Sequence, residues 1–246
     1  CLMDCLFVGQ NIIELSSVDS TNNYLIDLSQ NTSLVEGTIV MAKEQTAGRG
    51  QRNNIWSSES GKSLCISLLL KPKLDISQQF LFNKFIAVSL CQALNNYSLI
   101  SKIKWPNDIL IDRKKVAGIL IENSIRAVKI EKSVVGIGIN INNNISHLPK
   151  ATSIAEHVKT IPSIPHLLEL ICKKIEKNYF LLKQKPLKIN ELYHQNFFQK
   201  GQVQKFLKNG ESFDGIINSV NENGQLLLEV NGRFEFYNMG EIKFMI

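Results

Sequence analysis

Apolar positions in this chain follow two periods, and the places where one gives way to the other mark out the elements. Continuous or alternating apolar runs predict buried strands over 37–42 (GTIVMA), 63–70 (SLCISLLL) and 133–142 (SVVGIGININ). A shorter strand over 101–105 is ended by Pro106, which holds Trp105 extended. Helical spacing predicts a core helix through Phe82, Phe85, Ile86, Ser89, Leu90, Ala93 and Leu94, and lysine-rich amphipathic helices over 165–180 and 189–198. Tyr24, Leu25 and Leu28 form another helical pattern, and Asp19, Ser20 and Thr21 before it read first as a helix cap. Past Gly201 the pattern becomes short strands over 202–207, 212–220, 225–230 and 233–237, separated by Asn-Gly turns. That spacing predicts a small β-barrel and a boundary near Lys200, hence domains 1–199 and 200–246.

Two strand-like runs, 107–111 and 116–121, flank Asp112-Arg113-Lys114-Lys115, which reads as a four-residue hairpin turn with Lys115 at the mouth of a strand. Rigid backbone there can aim an ammonium into a pocket, and Gly118, lacking a Cβ, lets a ligand approach the strand. Taken alone, such a turn is more often simply solvated. Period two places Gly136, Gly138 and Asn140 on one face of their strand, a flat platform with an amide at its end. Between the strands over 37–42 and 63–70 runs a long polar loop, Lys43 to Trp56, with Gly48, Arg49, Gly50 and Arg52 in it. Glycines let such a backbone fold around an anion, and arginines fork onto carboxylate or phosphate oxygens. It is neither a Walker loop nor a dinucleotide fingerprint, since no GK[ST] or GxGxxG lies within it.

Composition narrows the classes. With 246 residues, 44% of them hydrophobic, the chain can bury a substantial core. No apolar run nears the ~20 residues of a membrane span, and the N-terminal stretch lacks the basic region of a secretory signal, so no membrane partner and a cytoplasmic setting are expected. Five cysteines without a CxxC pair suit reduced thiols, with Cys65 and Cys91 in the core. The four histidines share no ligand-like spacing, so no transition-metal site is expected. A net charge of +6 is spread over scattered lysines without a nucleic-acid-binding motif, and its field also draws anionic small molecules or acidic proteins.

The candidate set is therefore two arginines, a rim lysine, a carboxylate at Asp108, a glycine platform and hydroxyls, with no activated nucleophile. Such a site suits the joining of two anions by charge neutralisation and alignment. A carboxylate activated on the α-phosphate of ATP, then attacked by an outside amine, fits that chemistry.

Asp19-Ser20-Thr21-Asn22, Gln45-Thr46-Ala47-Gly48-Arg49-Gly50 with Trp56, Lys104-Trp105-Pro106-Asn107-Asp108, Lys115-Val116-Ala117-Gly118-Ile119-Leu120 and Gly136-Ile137-Gly138-Ile139-Asn140 together resemble the ordered motifs of biotin protein ligases. The resemblance implies an α+β catalytic domain related to class II aminoacyl-tRNA synthetases, a mixed sheet with flanking helices, followed by a small SH3-like β-barrel. It implies biotin and ATP as substrates, Mg2+ carried mainly by the phosphates, and transfer of biotin through biotinyl-5′-AMP to a lysine of the biotin carboxyl carrier protein of acetyl-CoA carboxylase. By position, Ser20, Thr21 and Gln45 would hydrogen-bond the ureido end of biotin, Gly118 and Gly136 would line its path, and Asn22, Gly48 and Leu120 would also belong to the biotin site. Arg49 and Lys115 would hold its carboxylate and the α-phosphate. Arg52, Trp56 and Asn140 would take the nucleotide, with Arg49 and Lys115 at its phosphate. Asp108 would orient or help deprotonate the incoming lysine, completing a catalytic set with Arg49 and Lys115.

Many relatives read GRGRRG where this chain has Gly48-Arg49-Gly50-Gln51-Arg52-Asn53, so faster escape of the adenylate is expected. No helix-turn-helix precedes Asp19, so DNA binding is not expected, and a monomer or weak homodimer is. The alternative is a lipoate or octanoate ligase or transferase of the same fold, whose arginine-rich, Gly-Gly-Gly and His-Asp pattern is missing here. A nucleic-acid-binding protein using the basic terminal barrel is a rival of another class, separable by the salt dependence of its affinity.

Overall fold

The computed structural model describes residues 4–145 and 147–245, with the side chain of Asn53 excepted; Cys1 lies outside that range. The larger sheet is built from β1 (Ile12–Val18), β2 (Ile39–Gln45), β3 (Ser63–Leu70), the two-residue β4 (Leu74–Asp75), β5 (Ser101–Lys104), β6 (Asp108–Ile111), β7 (Lys114–Arg126) and β8 (Lys129–Asn140). Its order is β1-β2-β3-β8-β7-β6-β5, with β4 alongside β8. The β1–β2 pair is parallel and the others are antiparallel, so the sheet is mixed.

One face of the sheet is covered by α1 (Thr21–Asn31), whose Leu25 packs with Val40, Leu69 and Val134. The other carries the large core, where Phe82, Phe85 and Ile86 of α2 (Gln79–Asn95) meet Ile66, Leu68, Ile137 and Ile139. Helices α3 (Ile164–Gln184) and α4 (Pro186–Gln195) pack on α2. Cover on both faces explains why β3 reads as a continuous apolar run with every residue buried. The α+β mixed sheet with flanking helices is thus present. Strand β1 was not expected: as an edge strand with β2 as its one neighbour it needs no apolar run, and IIELSSV shows none. The β7–β8 hairpin also extends past Ile121 to Arg126, through Glu122, Asn123, Ser124 and Ile125, with Ser124, Ile125 and Arg126 exposed.

The C-terminal strands β9 (Val203–Lys208), β10 (Glu211–Val220), β11 (Leu226–Val230), β12 (Arg233–Tyr237) and β13 (Lys243–Phe244) form an antiparallel sheet in the order β12-β11-β10-β9-β13. Asn209-Gly210 and Asn231-Gly232 make its tight turns with positive φ at both residues, the geometry an Asn-Gly pair favours. Among the described residues no ladder joins β12 to β13, so the sheet is open where a barrel was expected. It does not stand apart from the larger sheet. Phe206, Ile217, Leu226 and Leu228 belong to the same buried cluster as α2, and Trp105 Nε1 donates to the Gly224 carbonyl at 2.8 Å. Cys65 and Cys91 are in the core, as expected. Among the described residues no helix is long and apolar enough to cross a membrane.

Candidate functional site

The register of the sheet sets the floor of the site. Gly118 of β7 faces Gly138 of β8, which faces Cys65 of β3; one step along, Leu120 faces Gly136, which faces Ser67. The glycines leave the sheet bare, and two side chains use the space. A Cβ on Gly136 would lie 2.4 Å from Asn22 Oδ1, and one on Gly138 would lie 2.4 Å from Cε2 of the Trp56 indole. Gly136 and Gly138 share one face, as read from sequence, and Asn22 and Trp56 cover them. A cleft with about 50 Å³ of free space surrounds them, lined by residues of α1, β7, β8 and the loop that carries Arg49 and Trp56.

Hydroxyls and amides from α1, β2 and β3 form one hydrogen-bonded group at the cleft. Ser20 occupies the N-cap position of α1, where the cap reading put it, but its side chain makes no capping bond, and the residue lines the cleft. The first free N–H of the helix is used instead by Gln45: Thr21 N–H and Oγ1–H donate to Gln45 Oε1 at 2.8 and 3.0 Å. Ser67 Oγ lies 2.8 Å from Thr21 Oγ1 and 2.5 Å from Asn22 Oδ1, and Asn22 Nδ2 donates to Glu122 Oε2 at 2.8 Å. Buried polar groups tied together in this way hold fixed donor and acceptor positions.

The charged groups come from the β6–β7 hairpin and from the loop after β2. The turn between β6 and β7 is two residues, Asp112 and Arg113, both with positive φ, so Lys114 and Lys115 belong to the strand and not to a four-residue turn. A bulge follows: Leu110 pairs with Lys115 but Ile109 pairs with Ala117, leaving Val116 extra. Strict alternation would put Lys115 and Gly118 on opposite faces; the bulge brings Lys115 Cε and Nζ to 3.1 Å from where a Gly118 Cβ would stand. Lys115 Nζ lies 2.6 Å from Asp108 Oδ1 and 5.7 Å from the Trp56 ring centroid, while Lys104 Nζ holds Asp108 Oδ2 at 3.3 Å. With the Lys115 side chain 37% exposed, that pair is worth about 0–1 kcal/mol of stability, so its consequence is orientation. Arg49 forks onto Glu122, with Nη2 to Oε1 at 2.9 Å and Nη1 to Oε2 at 3.3 Å, and Nη1 also donates to Asn23 Oδ1 at 2.5 Å.

The cleft therefore gathers Ser20, Thr21, Asn22, Gln45, Arg49 and Trp56 with Lys115, Gly118, Leu120 and Gly136. Gly48 acts through backbone: a Cβ there would meet the Trp56 carbonyl at 2.3 Å, and Trp56 N–H donates to the Gly48 carbonyl at 2.8 Å. Asp108 opens onto an adjoining groove that shares Trp56 and Lys115 with the cleft. Arg52 also lies in that groove, donating to the Met239 carbonyl. Asn140 stands beyond the lining, with Nδ2 donating to the Thr152 carbonyl at 3.2 Å and Oδ1 accepting from Asn143 Nδ2 at 2.9 Å. Sequence reading missed Ser67, Glu122 and Asn107, whose Nδ2 donates to the Ile119 carbonyl at 2.5 Å. The signals were present: Ser67 is a hydroxyl inside an apolar strand, and Glu122 is the acid ending the run from Val116.

Residues 14–140 match the biotin/lipoate A/B protein ligase family. The chain is 31% identical over 234 residues to the bifunctional ligase/repressor BirA of Bacillus subtilis, an overlap covering 91% of this chain and 71% of that protein. It is 24% identical over 236 residues to the biotin--[acetyl-CoA-carboxylase] ligase of Mycobacterium tuberculosis, covering 93% and 86%. Among solved structures, the biotin protein ligase of Aquifex aeolicus in complex with biotin and ATP superposes with a TM-score of 0.79 at 26% identity, covering 96% of this chain and 98% of that one.

Proposed function

The chain belongs to the biotin/lipoate A/B protein ligase family, and within it we propose an ATP-dependent biotin protein ligase. A carboxylate oxygen of biotin attacks the α-phosphorus of ATP and pyrophosphate leaves; an acceptor lysine amine then attacks the acyl carbon of biotinyl-5′-AMP and AMP leaves. The acceptor is the biotin carboxyl carrier protein of acetyl-CoA carboxylase, and Mg2+ enters with the nucleotide on its phosphates. The cytoplasmic setting expected from the sequence goes with this reading. The open C-terminal sheet, over 200–246, is read as the SH3-like unit of the family and 1–199 as the catalytic unit.

The observation that carries the proposal is the set of groups the cleft gathers: the hydroxyls and amides of Ser20, Thr21, Asn22 and Gln45, the strand glycines Gly118, Gly136 and Gly138, and the two cations Arg49 and Lys115. Biotin offers a partner to each kind, with a neutral ureido head, an apolar tail and a carboxylate. Ser20, Thr21, Asn22 and Gln45 meet the head, while Gly48, Gly118, Leu120 and Gly136 bound the tail. A dithiolane ring would leave the amides and hydroxyls without a matching partner, which argues against lipoate. Arg49 exchanges Glu122 for the ligand's anionic oxygens, and Lys115 neutralises the charge growing on the α-phosphate. Arg52, Trp56 and Asn140 serve the nucleotide from the loop and from the end of β8. Asp108, bridged by two ammonium groups, orients Lys115 and the incoming amine. Gln51 gives the loop one cation fewer than GRGRRG, the reason to expect faster escape of the adenylate.

Titration of biotin and then ATP into the protein, with product mass measured, tests the proposal. Wild type should yield biotinyl-AMP, and Lys115→Ala should bind biotin but form the adenylate about 10²–10³ times more slowly, as for loss of one preorganised charge-stabilising group. Absence of biotin binding by wild type, or turnover of lipoate in its place, would refute it.

A further inference from the structure

Strand β8 stops pairing with β7 at Ala117–Ile139, so the backbone of Lys115, two residues nearer the turn, has no β8 partner. The chain returns to that edge over 150–152. Lys115 N–H donates to the Lys150 carbonyl at 2.8 Å and Thr152 N–H donates to the Lys115 carbonyl at 2.9 Å, a parallel bridge centred on Ala151. Thr152 is fully buried. Its hydroxyl donates to Glu156 Oε2 at 2.9 Å and faces His157 Nε2 at 2.7 Å, while His157 Nδ1 lies 3.4 Å from Asp112 Oδ2 in the β6–β7 turn. The order Asp112, His157, Thr152 imitates a nucleophilic triad, but a hydroxyl with no exposed surface cannot meet a substrate. What the chain of contacts reaches is the backbone of Lys115, and through the Thr152 carbonyl the amide of Asn140.

We infer that Thr152, held by His157, is a positioning residue for Lys115; the inference rests on the proposed role of Lys115 in adenylate formation. The physical reason is the bulge. An extra residue at Val116 is what turns Lys115 towards Gly118, and losing it would restore strict alternation and turn the ammonium to the opposite face. Clamping both the N–H and the carbonyl of Lys115 from the 150–152 side pins the bulge where it is. Asp112, 80% exposed, adds little energy by itself; the buried threonine is the hub.

The full-length protein with Thr152→Val, which exchanges the hydroxyl for a methyl, and with Thr152→Ser, which keeps it, separates positioning from mere packing. The readouts are kcat and KM for biotinyl-AMP formation, biotin affinity by titration and the thermal midpoint, with Lys115→Ala as comparator. Thr152→Val should lower kcat about 10–100-fold with biotin affinity held within about 3-fold, and Thr152→Ser should restore kcat. A wild-type kcat in Thr152→Val beside an inactive Lys115→Ala overturns the inference and leaves the cleft's reading intact. No adenylate from wild type overturns that reading first, and the inference with it. If Thr152→Val does not fold, His157→Ala gives the same readout from the other end of the contact, and an unchanged kcat there overturns the inference.

Discussion

Lys84 is the residue whose chemistry was least visible in the pattern, because it occupies a polar slot in a helix read as pure core. It is 2% exposed, with its ammonium 5.3 Å from the Phe80 ring, 5.4 Å from the Tyr193 ring, and bonded to Asn190 Oδ1 at 2.6 Å and the Val220 carbonyl at 3.1 Å. Burial pulls its pKa from 10.5 down to about 8, against a weaker upward pull from Glu222. The neighbouring His194 is pushed down to about 4 by burial, with Lys84 and Lys200 adding to it. For Lys84 the folded state binds fewer protons than the unfolded state between the two pKa values, so stability rises with pH across the window from about 8 to 10.5. The gain is on the order of 3 kcal/mol when the whole shift is converted. Urea unfolding of wild type and Lys84→Met at pH 8, 9 and 10 isolates this from other titrating groups: the difference between them should grow with pH in favour of wild type, and a constant difference would contradict it.

At the scale of the element, the glycine platform was legible because period two in β8 is a local property, and Gly136 and Gly138 share a face in any register. What fills their space was not, since Asn22 and Trp56 arrive from distant parts of the chain. Gly136→Ala measures how tightly one of them is held. The new Cβ would stand 2.4 Å from Asn22 Oδ1, and Asn22 is fixed by Ser67 at 2.5 Å and Glu122 at 2.8 Å, so it has little room to yield. Biotin affinity should fall about 10-fold or more in a calorimetric titration, the price of roughly 1.4 kcal/mol or more of disturbed contacts. An unchanged affinity would remove Asn22 from the wall of the site. The bulge in β7 belongs to the same scale and was illegible for a different reason: VAGIL carries no mark of which residue is extra, because the choice depends on what pairs on either side.

Across the whole molecule, the boundary expected near Lys200 coincides with a change of sheet but not with a break in the core. Phe206 and Leu228 share a buried cluster with Phe82 and Tyr193, and Trp105 and Lys84 each bond to a backbone carbonyl of the C-terminal sheet. Elements that share one core lose their packing together. Thermal unfolding followed by far-UV circular dichroism and by tryptophan fluorescence should therefore give one coincident transition, and two separated transitions would show that 200–246 unfolds on its own.

The sequence by itself determined the apolar strands and core helices, the Asn-Gly turns of the C-terminal sheet and the residue types of the site, because hydrophobic period and turn chemistry are local, and the mixed α+β sheet only through the resemblance of its ordered motifs. Tertiary structure alone decided that Lys115 faces Gly118 across a bulge, that Arg49 rests on Glu122, that the Ser20 side chain makes no capping bond, and that the 150–152 segment takes the place of β8 beside Lys115. Each of these depends on which distant segment reaches a given backbone or side-chain group first, and no local pattern carries that information.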